Sequence, residues 1–496
     1  MKHLEIERKF LLPPCSLKRF LKKHGISYRK IPIEQFYLQS SETGIERYRR
    51  IGERFIHTRK SGSGLVREES EETIDEARYR EALRRNRGGV LRKDRYIFRL
   101  GRWTGELDHF KGSLKGLNVL EVEFPDETSA RLFCLPEPFA ALCLGEVTED
   151  PRFTNGSLSR QMRIPSIESD LSTLREQVDG LGEKRLNASV SLSFHPFEST
   201  GNVIKTIIYA LLRSLEANRE AILSGDHDPE RLHQFRVALR KLRALLSQMK
   251  ELFDPEWLSE HRAALARLMK ATADKREIDV LLRHIDAYRR ILPKACHPGL
   301  KKLEAHLQKE EEASQRSLET FLSSEVLERE LQALRDFARK ETMEELQAEN
   351  AGLPIVFPAK ARVKRGYRRV LTRGAQLDKD SAPNDYHKER IEVKKLRYLL
   401  EFFSPIFEEK SYRLLLKELK RFQTILGDHQ DLVTQRAQLQ KLASAPDLQN
   451  HEVQKTLSIL GKIMKKLAKE KRKEFRKSFR GFRKKKRYFH RLICRF

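Results

Sequence analysis

Residues 5–9 read Glu5-Ile6-Glu7-Arg8-Lys9. In an extended strand side chains alternate between faces, so Glu5, Glu7 and Lys9 project together while Leu4, Ile6 and Phe10 project the other way. One face is ionic and the other mostly apolar. For a single stretch the plainer reading is a surface strand with a solvated charged face. Recurrence weighs against it. The same charged i, i+2 pairing returns at Arg47 and Arg49, Glu69 and Glu71, Lys93 and Arg95, Glu106 and Asp108, and Glu121 and Glu123.

Beyond that stretch, the first third of the chain is a series of short alternating runs separated by Gly, Pro and polar turns. Strands are expected at Glu34 to Gln39, Ile45 to Ile51, Arg54 to Lys60, Val66 to Thr73, Lys93 to Leu100, Thr104 to Phe110 and Val119 to Phe124. Helices interrupt at Ser16 to His24 and Ile74 to Arg85. So many antiparallel strands of this length predict a closed or nearly closed barrel. If each turns its ionic face inward, the lumen carries both signs of charge, which is costly unless charges are paired or hold an ion. A metal-bound polyphosphate meets that need, because phosphate oxygens take Arg and Lys donors while Mg²⁺ takes carboxylates. No convincing Ser-His-Asp or Cys-His nucleophile is present, and phosphoryl transfer requires none.

Composition narrows the partners. Over 496 residues, 99 Lys and Arg against 71 Asp and Glu give a formal charge of +28, a surplus that points to a polyanion: nucleic acid, an anionic membrane or inorganic polyphosphate. Cys15, Cys134, Cys143, Cys296 and Cys494 contain no CxxC pair, which suits a reducing compartment and argues against a disulfide framework or zinc site. The charged N-terminus lacks an apolar h-region and no apolar run approaches membrane-spanning length. A soluble, cytoplasmic protein without a transmembrane segment is expected.

The ordered set Glu5-x-Glu7-x-Lys9, Arg47-x-Arg49, Thr58-Arg59-Lys60, Arg67-Glu68-Glu69-Ser70-Glu71, Lys93-Asp94-Arg95-Tyr96, Glu106-Leu107-Asp108, Leu120-Glu121-Val122-Glu123 and Glu146 to Phe153 resembles the CYTH domains, the triphosphate tunnel metalloenzymes. The resemblance covers residues 1–160. It implies an eight-stranded antiparallel tunnel that hydrolyses or cyclises triphosphate-bearing substrates with Mg²⁺ or Mn²⁺. By motif, Glu5, Glu7, Glu121, Glu123 and Asp150 would serve the metal. Lys9, Arg47, Arg49, Lys60, Lys93 and Arg95 would hold phosphates, and Glu5, Glu7, Lys9, Glu69 and Glu71 would be catalytic. For Glu106 and Asp108 a structural ion pair and a direct role both remain open. Trp103 and Tyr48 are the aromatics that could serve a thiamine or nucleoside substrate, although each also suits packing; inorganic triphosphate needs neither.

Residues 161–196, rich in Ser, Gly and Pro, read as a junction, with Asp170 to Val178 a candidate closing helix of the first domain. From Val203 onward helical periodicity dominates. His233-x-x-Arg236-Val237-x-x-x-Arg240-Lys241-x-Arg243 recurs as His387-x-x-Arg390-Ile391-x-x-x-Lys394-Lys395-x-Arg397, every position displaced by 154,. The register continues, since Arg276-Glu277-Ile278 corresponds to Gln430-Asp431-Leu432. A cationic stripe on one helix is ordinarily a solvated face; keeping it in both copies favours a merged cationic groove.

This repeat resembles the CHAD domain, which implies two pseudo-symmetric four-helix bundles over residues 197–496, with copies at about 200–350 and 354–496. It also implies polyphosphate binding through His233, Arg236, Arg240, Lys241, Arg243, His387, Arg390, Lys394, Lys395 and Arg397. Lys394 and Lys395 stand where Arg is frequent, and Glu277 where Asp is usual. A metal role for the two histidines lacks ligand partners at suitable spacing, so they are read as phosphate donors with charge adjustable near neutral pH. His429 is expected to begin a helix or to pack. The basic tail from Lys465 is expected to be a last bundle helix, with a flexible arm beyond Gly481. The whole reads as an α+β multidomain chain: an inorganic triphosphatase joined to a polyphosphate-binding helical domain, with association to polyphosphate granules as a corollary. The alternatives are a nucleoside or thiamine triphosphatase, or a non-catalytic polyphosphate or RNA scaffold.

Overall fold

The computed structural model describes residues 6–489 except 15, 41–43, 62–67, 168, 183–186, 188–191 and 408. For 39–40, 44–45, 60–61, 68–69 and 410–411 it describes the backbone alone. The chain divides into two compact units, one built on the sheet and ending at Ile167 with His195–Phe197 added, the other helical and holding most of the remaining chain.

The alternating runs form strands close to their expected bounds. They are β1 (Ile6–Leu12), β2 (Tyr28–Ser40), β3 (Gly44–Ile51), β4 (Arg54–Ser61), β5 (Glu68–Ile74), β6 (Leu91–Leu100), β7 (Trp103–Phe110), β8 (Asn118–Phe124) and β9 (Gly145–Glu146). They make one sheet in the order β5-β4-β3-β2-β6-β7-β8-β1-β9, with every pairing antiparallel. The ninth strand was not expected, because two residues are too few to carry an alternation. Among the described residues no pairing joins β5 to β9. The sheet is nevertheless curled: the charge of Lys9 on β1 reaches the Tyr37 phenol on β2, although β6, β7 and β8 separate those strands in the ladder.

The outer face explains the curl. Phe10, Leu12, Phe98, Leu107, Leu120, Val122 and Phe124 are buried with Leu17 and Leu21 of α1 (Leu17–Lys23). Phe36, Tyr48 and Ile74 pack with Tyr79 and Ala82 of α2 (Glu76–Arg85), whose N-cap Asp75 accepts from the Arg78 amide. Fully burying one such side chain contributes about 1.5–3 kcal/mol, and strand alternation then commits the charged residues to the concave face. The short α3 (Glu127–Leu132) and α4 (Asn155–Gln161) complete this unit's helices among the described residues.

The second unit opens with α5 (Leu171–Asp179), which packs against α6 (Thr200–Leu223). It therefore belongs to the helical unit instead of closing the first domain. There follow α7 (Pro229–Gln248), α8 (Pro255–Ala271), α9 (Ala273–Ile291), α10 (His297–Leu322), α11 (Glu325–Arg339), α12 (Ala348–Ala351), α13 (Val356–Gln376), α14 (Pro383–Phe402), α15 (Glu409–Leu442) and α16 (His451–Lys484). The repeat governs where helices begin. Pro229 and Pro383 open α7 and α14, and His297 and His451 open α10 and α16, each pair 154 residues apart. Proline suits a first helical position because its missing N–H has no intrahelical partner there.

The copies differ at two joints, one of them between α10 and α11, where the second copy has the single α16. At the other, the first has two helices, α8 and α9, where the second has the single α15. They also share a core, in which Ile285 and Leu303 of the first copy pack with their counterparts Leu439 and Leu457 of the second. Of the two roles expected for His429 the helix start is not taken, since it sits within α15. The flexible arm expected beyond Gly481 begins later, because α16 continues to Lys484 with Phe475, Phe479 and Phe482 buried on one helical face.

Candidate active site and anion groove

Register sets the inner face of the sheet. Lys9 lies opposite Glu121 and Glu7 opposite Glu123, while Arg95 lies opposite Asp108 and Ile97 opposite Glu106. Tyr37 lies opposite Arg47 and Gln35 opposite Arg49. Thr58 faces Glu71, and Lys60 faces Glu69. All share the concave face by strand parity. Glu5 lies outside the described residues, as do the side chains of Lys60 and Glu69.

Around Asp108 the charges form a closed lattice. Its carboxylate accepts from Arg95 Nε and Nη2 at 2.7 Å each and from Lys93 Nζ. Arg95 Nη2 also donates to Glu121 at 2.6 Å, and Arg95 Nη1 to Glu106. Lys93 donates further to Asn155 Oδ1 at 3.1 Å, from the first turn of α4. Lys9 Nζ lies 2.7 Å from Glu7 and 3.6 Å from Glu121, and Arg49 Nη2 lies 2.6 Å from half-exposed Glu71. Arg47 donates to Thr58 Oγ1 at 3.5 Å.

These contacts tune the groups differently. Burial pushes the Asp108 carboxyl up, but the charges of Lys93 and Arg95 outweigh it and hold it below the usual range. Burial and the Asp108 charge push Glu121 up, and burial also raises Glu106, which feels Glu123 as well. Burial lowers Lys93, and burial together with Arg47 lowers Arg49. Asp108 is thus an ion-pair partner at the centre of the lattice, one of the two roles left open by sequence; Glu106 is another through Arg95.

For a metal, the donor set is all oxygen, which suits Mg²⁺ or Mn²⁺. Glu7 lies directly opposite Glu123; Lys9 offsets the charge of Glu7, and the two carboxylates supply oxygens of the kind a divalent ion takes. Glu121 is shared with Arg95 and Lys9. Asp150 is elsewhere engaged: it caps the Pro151–Phe153 turn and binds Arg152 at 2.7 Å. Among the described residues no three metal-ligating side chains stand together.

Trp103 packs edge-on against Phe124 at 5.1 Å, and Tyr48 stacks between Phe36 and His57. Both are outer-face residues. Sequence reasoning passed over Gln35, Tyr37 and Asn155 on the inner side and gave Thr58, quoted within its motif, no role. Parity with Arg47 and Arg49 across the β2–β3 ladder was the signal for the first two, but register is invisible before folding.

In the helical unit, Arg240 and Arg243 of α7, Arg262 of α8, and His387, Arg390, Lys394 and Lys395 of α14 line a groove of about 810 Å³ in which no lining residue is acidic. Arg240 and Lys394 are repeat counterparts and act on each other at its centre. Burial, then Arg390 and Arg240, push Lys394 down to about 7. Of the other expected residues, Arg236 donates to the Met269 carbonyl at 2.8 Å and to Thr272 Oγ1 at 2.5 Å, filling the α8–α9 joint. The second copy has no such joint, and its counterpart Arg390 lines the groove. Lys241 is buried within the field of Glu401, and Arg397 binds Glu401 at 2.9 Å.

His233 is not the near-neutral titrating group expected. Burial and Arg276, with Arg240, Arg283 and Lys394, push it down to about 3, so it is a neutral imidazole. His387 Nδ1 donates to Gln430 Oε1 at 2.9 Å. Ile391 also lines the groove. His429 is a packing residue beside Tyr386 at 5.2 Å that accepts from Arg472.

The CHAD domain family matches residues 206–440. The chain is 36% identical over 160 residues to the inorganic triphosphatase of Nitrosomonas europaea, covering 31% of this chain and 96% of that protein. It is 31% identical over 155 residues to the inorganic triphosphatase of Acetivibrio thermocellus, covering 31% and 92%. The crystal structure of the CHAD domain from the plant Ricinus communis is similar to 57% of this chain and 92% of that one, at 26% identity and a TM-score of 0.50. The chain therefore belongs to the CYTH-type inorganic triphosphatase family and carries a CHAD domain in its helical half. No described helix is long and apolar enough to cross a membrane.

Proposed function

We propose that the first unit hydrolyses inorganic triphosphate to pyrophosphate and phosphate with Mg²⁺ or Mn²⁺, and that the helical unit binds inorganic polyphosphate. The carrying observation is the convergence of Lys9, Arg49, Lys93 and Arg95 with their carboxylates on one concave face. A phosphate chain meets there both guanidinium forks and ammonium donors already oriented.

In this reading Lys9, Arg47, Arg49, Lys60, Lys93 and Arg95 hold phosphate oxygens, and Glu5, Glu7, Glu121 and Glu123 hold the metal. When bound, a divalent ion neutralises phosphate charge as a Lewis acid. Asp108 fixes the positions of Lys93 and Arg95. Glu71, with Glu69 on the same face of β5, orients the attacking water and takes its proton. As the new P–O bond forms, the bridging P–O bond breaks in line and pyrophosphate leaves. The outer-face packing of Trp103 and Tyr48 favours an inorganic substrate over a thiamine or nucleoside triphosphate.

The groove supports the second half of the reading, because cations from both copies meet without an acidic lining residue. Few aromatic side chains accompany them, which favours a phosphate chain over single-stranded RNA. Such binding would associate a cytoplasmic protein with polyphosphate granules.

The test is phosphate release by the full chain from inorganic triphosphate, ATP and thiamine triphosphate, with Mg²⁺, Mn²⁺ or chelator, beside Glu5→Ala/Glu7→Ala. Metal-dependent release favouring inorganic triphosphate and lost in the variant is expected. No release from any of the three would overturn the enzymatic reading.

A further inference from the structure

The two repeat copies share a core but differ in the surface over it. Between α15 and α16 lies a pocket of about 380 Å³ with no acidic lining residue. The corresponding surface of the first copy, on α9 and α10, carries larger side chains. Where the pocket has Ala443, Ser458 and Gly461, the first copy has Arg289, Glu304 and Leu307; Arg289 and Glu304 are ion-paired at 2.9 Å and Leu307 is buried. Where the pocket has Arg436 and Lys465, the first copy has Leu282 and Glu311. The second copy thus opens a space and lines one end of it with positive charge. That end is set by the antiparallel run of the two helices. Gln454 Nε2 donates to the Ala443 carbonyl at 2.7 Å, while Arg436 Nε lies 3.9 Å from where a Cβ on Gly461 would stand. Arg436, Lys462 and Lys465 therefore gather away from Ala443, and among the described residues none of these three side chains has a hydrogen-bond or ion-pair partner.

We propose that this pocket binds a small phosphate ester of nucleotide size, its phosphate on Arg436, Lys462 and Lys465 and its organic body over Leu439 and Leu457. A guanidinium fork beside two ammonium groups matches the oxygens of one phosphate. The lining along α16 runs from Gln454 to Lys465, about 16 Å at the helical rise, so a single phosphate occupies only the cationic end. Leu439 and Leu457, members of the shared core, floor the remainder. Further phosphates would find no partner on that floor, whereas a sugar or base covers it and meets the Ser458 hydroxyl and the Gln440 amide at the edge,. The pocket is built on helices other than α7 and α14, and the proposal depends neither on triphosphate hydrolysis nor on polyphosphate binding.

The test is titration calorimetry of the full chain with AMP, GMP, CMP, UMP, glucose 6-phosphate and inorganic phosphate, beside Gly461→Leu and Arg436→Leu. Each variant installs the first copy's residue, one filling the space and the other removing the guanidinium. A Cβ at position 461 meets Arg436 Nε at an ordinary 3.9 Å, and leucine is the better helix former, so Gly461→Leu should melt no lower than the parent protein. At least one ester should bind the parent and lose roughly tenfold or more in affinity in both variants, the loss expected for one hydrogen bond to a charged group. Triphosphate hydrolysis and polyphosphate affinity should match the parent in both. Binding of none of the esters, or equal affinity in all three proteins, would overturn the proposal. Inorganic phosphate binding as tightly as the best ester would also overturn it, as would variants that lose affinity for polyphosphate alone.

Discussion

The concave face of the sheet and the groove between α7 and α14 both gather cations, but they treat the counter-charge in opposite ways. On the sheet, Lys93, Arg95, Lys9 and Arg49 each bind a carboxylate of the protein itself. In the groove every charged lining residue is a cation, and of these Lys395 binds a carboxylate, Glu392 at 3.1 Å. Pre-paired charges are held rigidly and at low net potential, so a ligand must offer the right geometry to exchange partners with them. A groove whose lining carries cations and no acid attracts any polyanion of suitable width, and its affinity should fall steeply with salt. The first arrangement suits selective chemistry; the second suits retention.

Breaking the lattice at its centre should have the largest effect. Asp108→Ala leaves Lys93 and Arg95 buried without their shared partner, and removing one member of such a set typically costs about 3–5 kcal/mol. Calorimetry of the full chain should show a lowered transition for the sheet unit with the helical transition in place, since the units need not unfold together. An unchanged sheet transition would refute the lattice as a structural element.

The groove should respond in affinity instead of stability. Arg240→Ala/Arg390→Ala should weaken polyphosphate binding and flatten its salt dependence, each lost contact reducing the log–log slope by about 0.7 if polyphosphate behaves as a single-stranded polyanion. Triphosphate hydrolysis in the same variant should match the parent protein. An unaltered slope would place the binding elsewhere.

The smallest expected effect concerns Lys394 alone. Burial, then Arg390, Arg240 and Arg397, disfavour its charge and Asp431 favours it, leaving the amine at about 7. Its cationic fraction falls as pH rises through that value, so polyphosphate affinity should fall between pH 6 and pH 8, and binding near pH 8 should take up protons. The change should be about fivefold, corresponding to roughly 1 kcal/mol for one lost lysine contact. Lys394→Arg restores the residue type of its counterpart Arg240 and should abolish both the proton uptake and this part of the pH dependence, as titration calorimetry in buffers of different ionisation heat can check.

Much of this was readable before folding because it depends on local period. Alternation fixed β3, β4, β6, β7 and β8 to within a few residues, and the displacement of 154 anticipated the paired starts at Pro229 and Pro383. The cationic residues of the sheet were recognised as a set because each strand carries its own i, i+2 pair. What escaped was whatever depends on contacts between distant segments: β9, which pairs with β1; Asn155 beside Lys93; and α5, whose amphipathic pattern is compatible with either unit. Asp150 was assigned by motif to the metal, but its neighbour Arg152 engages it first.

The second repeat supplies the sharpest case. Glu389 occupies the position of Phe235, and both are fully buried. Burial, then Glu392, push the Glu389 carboxyl up to about 9, so an acid that composition counts as a charge is a neutral member of the core. Likewise, sequence put Arg236 and Arg390 at one repeat position, yet the joint at Thr272 takes up the first while the groove keeps the second. The order of side chains along the chain was enough to set the strands, the repeat and the supply of cations and carboxylates. Which charges meet, which are neutralised by burial and which remain for a ligand emerged only on folding, because electrostatic energy depends on distance and solvent exposure, and neither exists until distant segments pack.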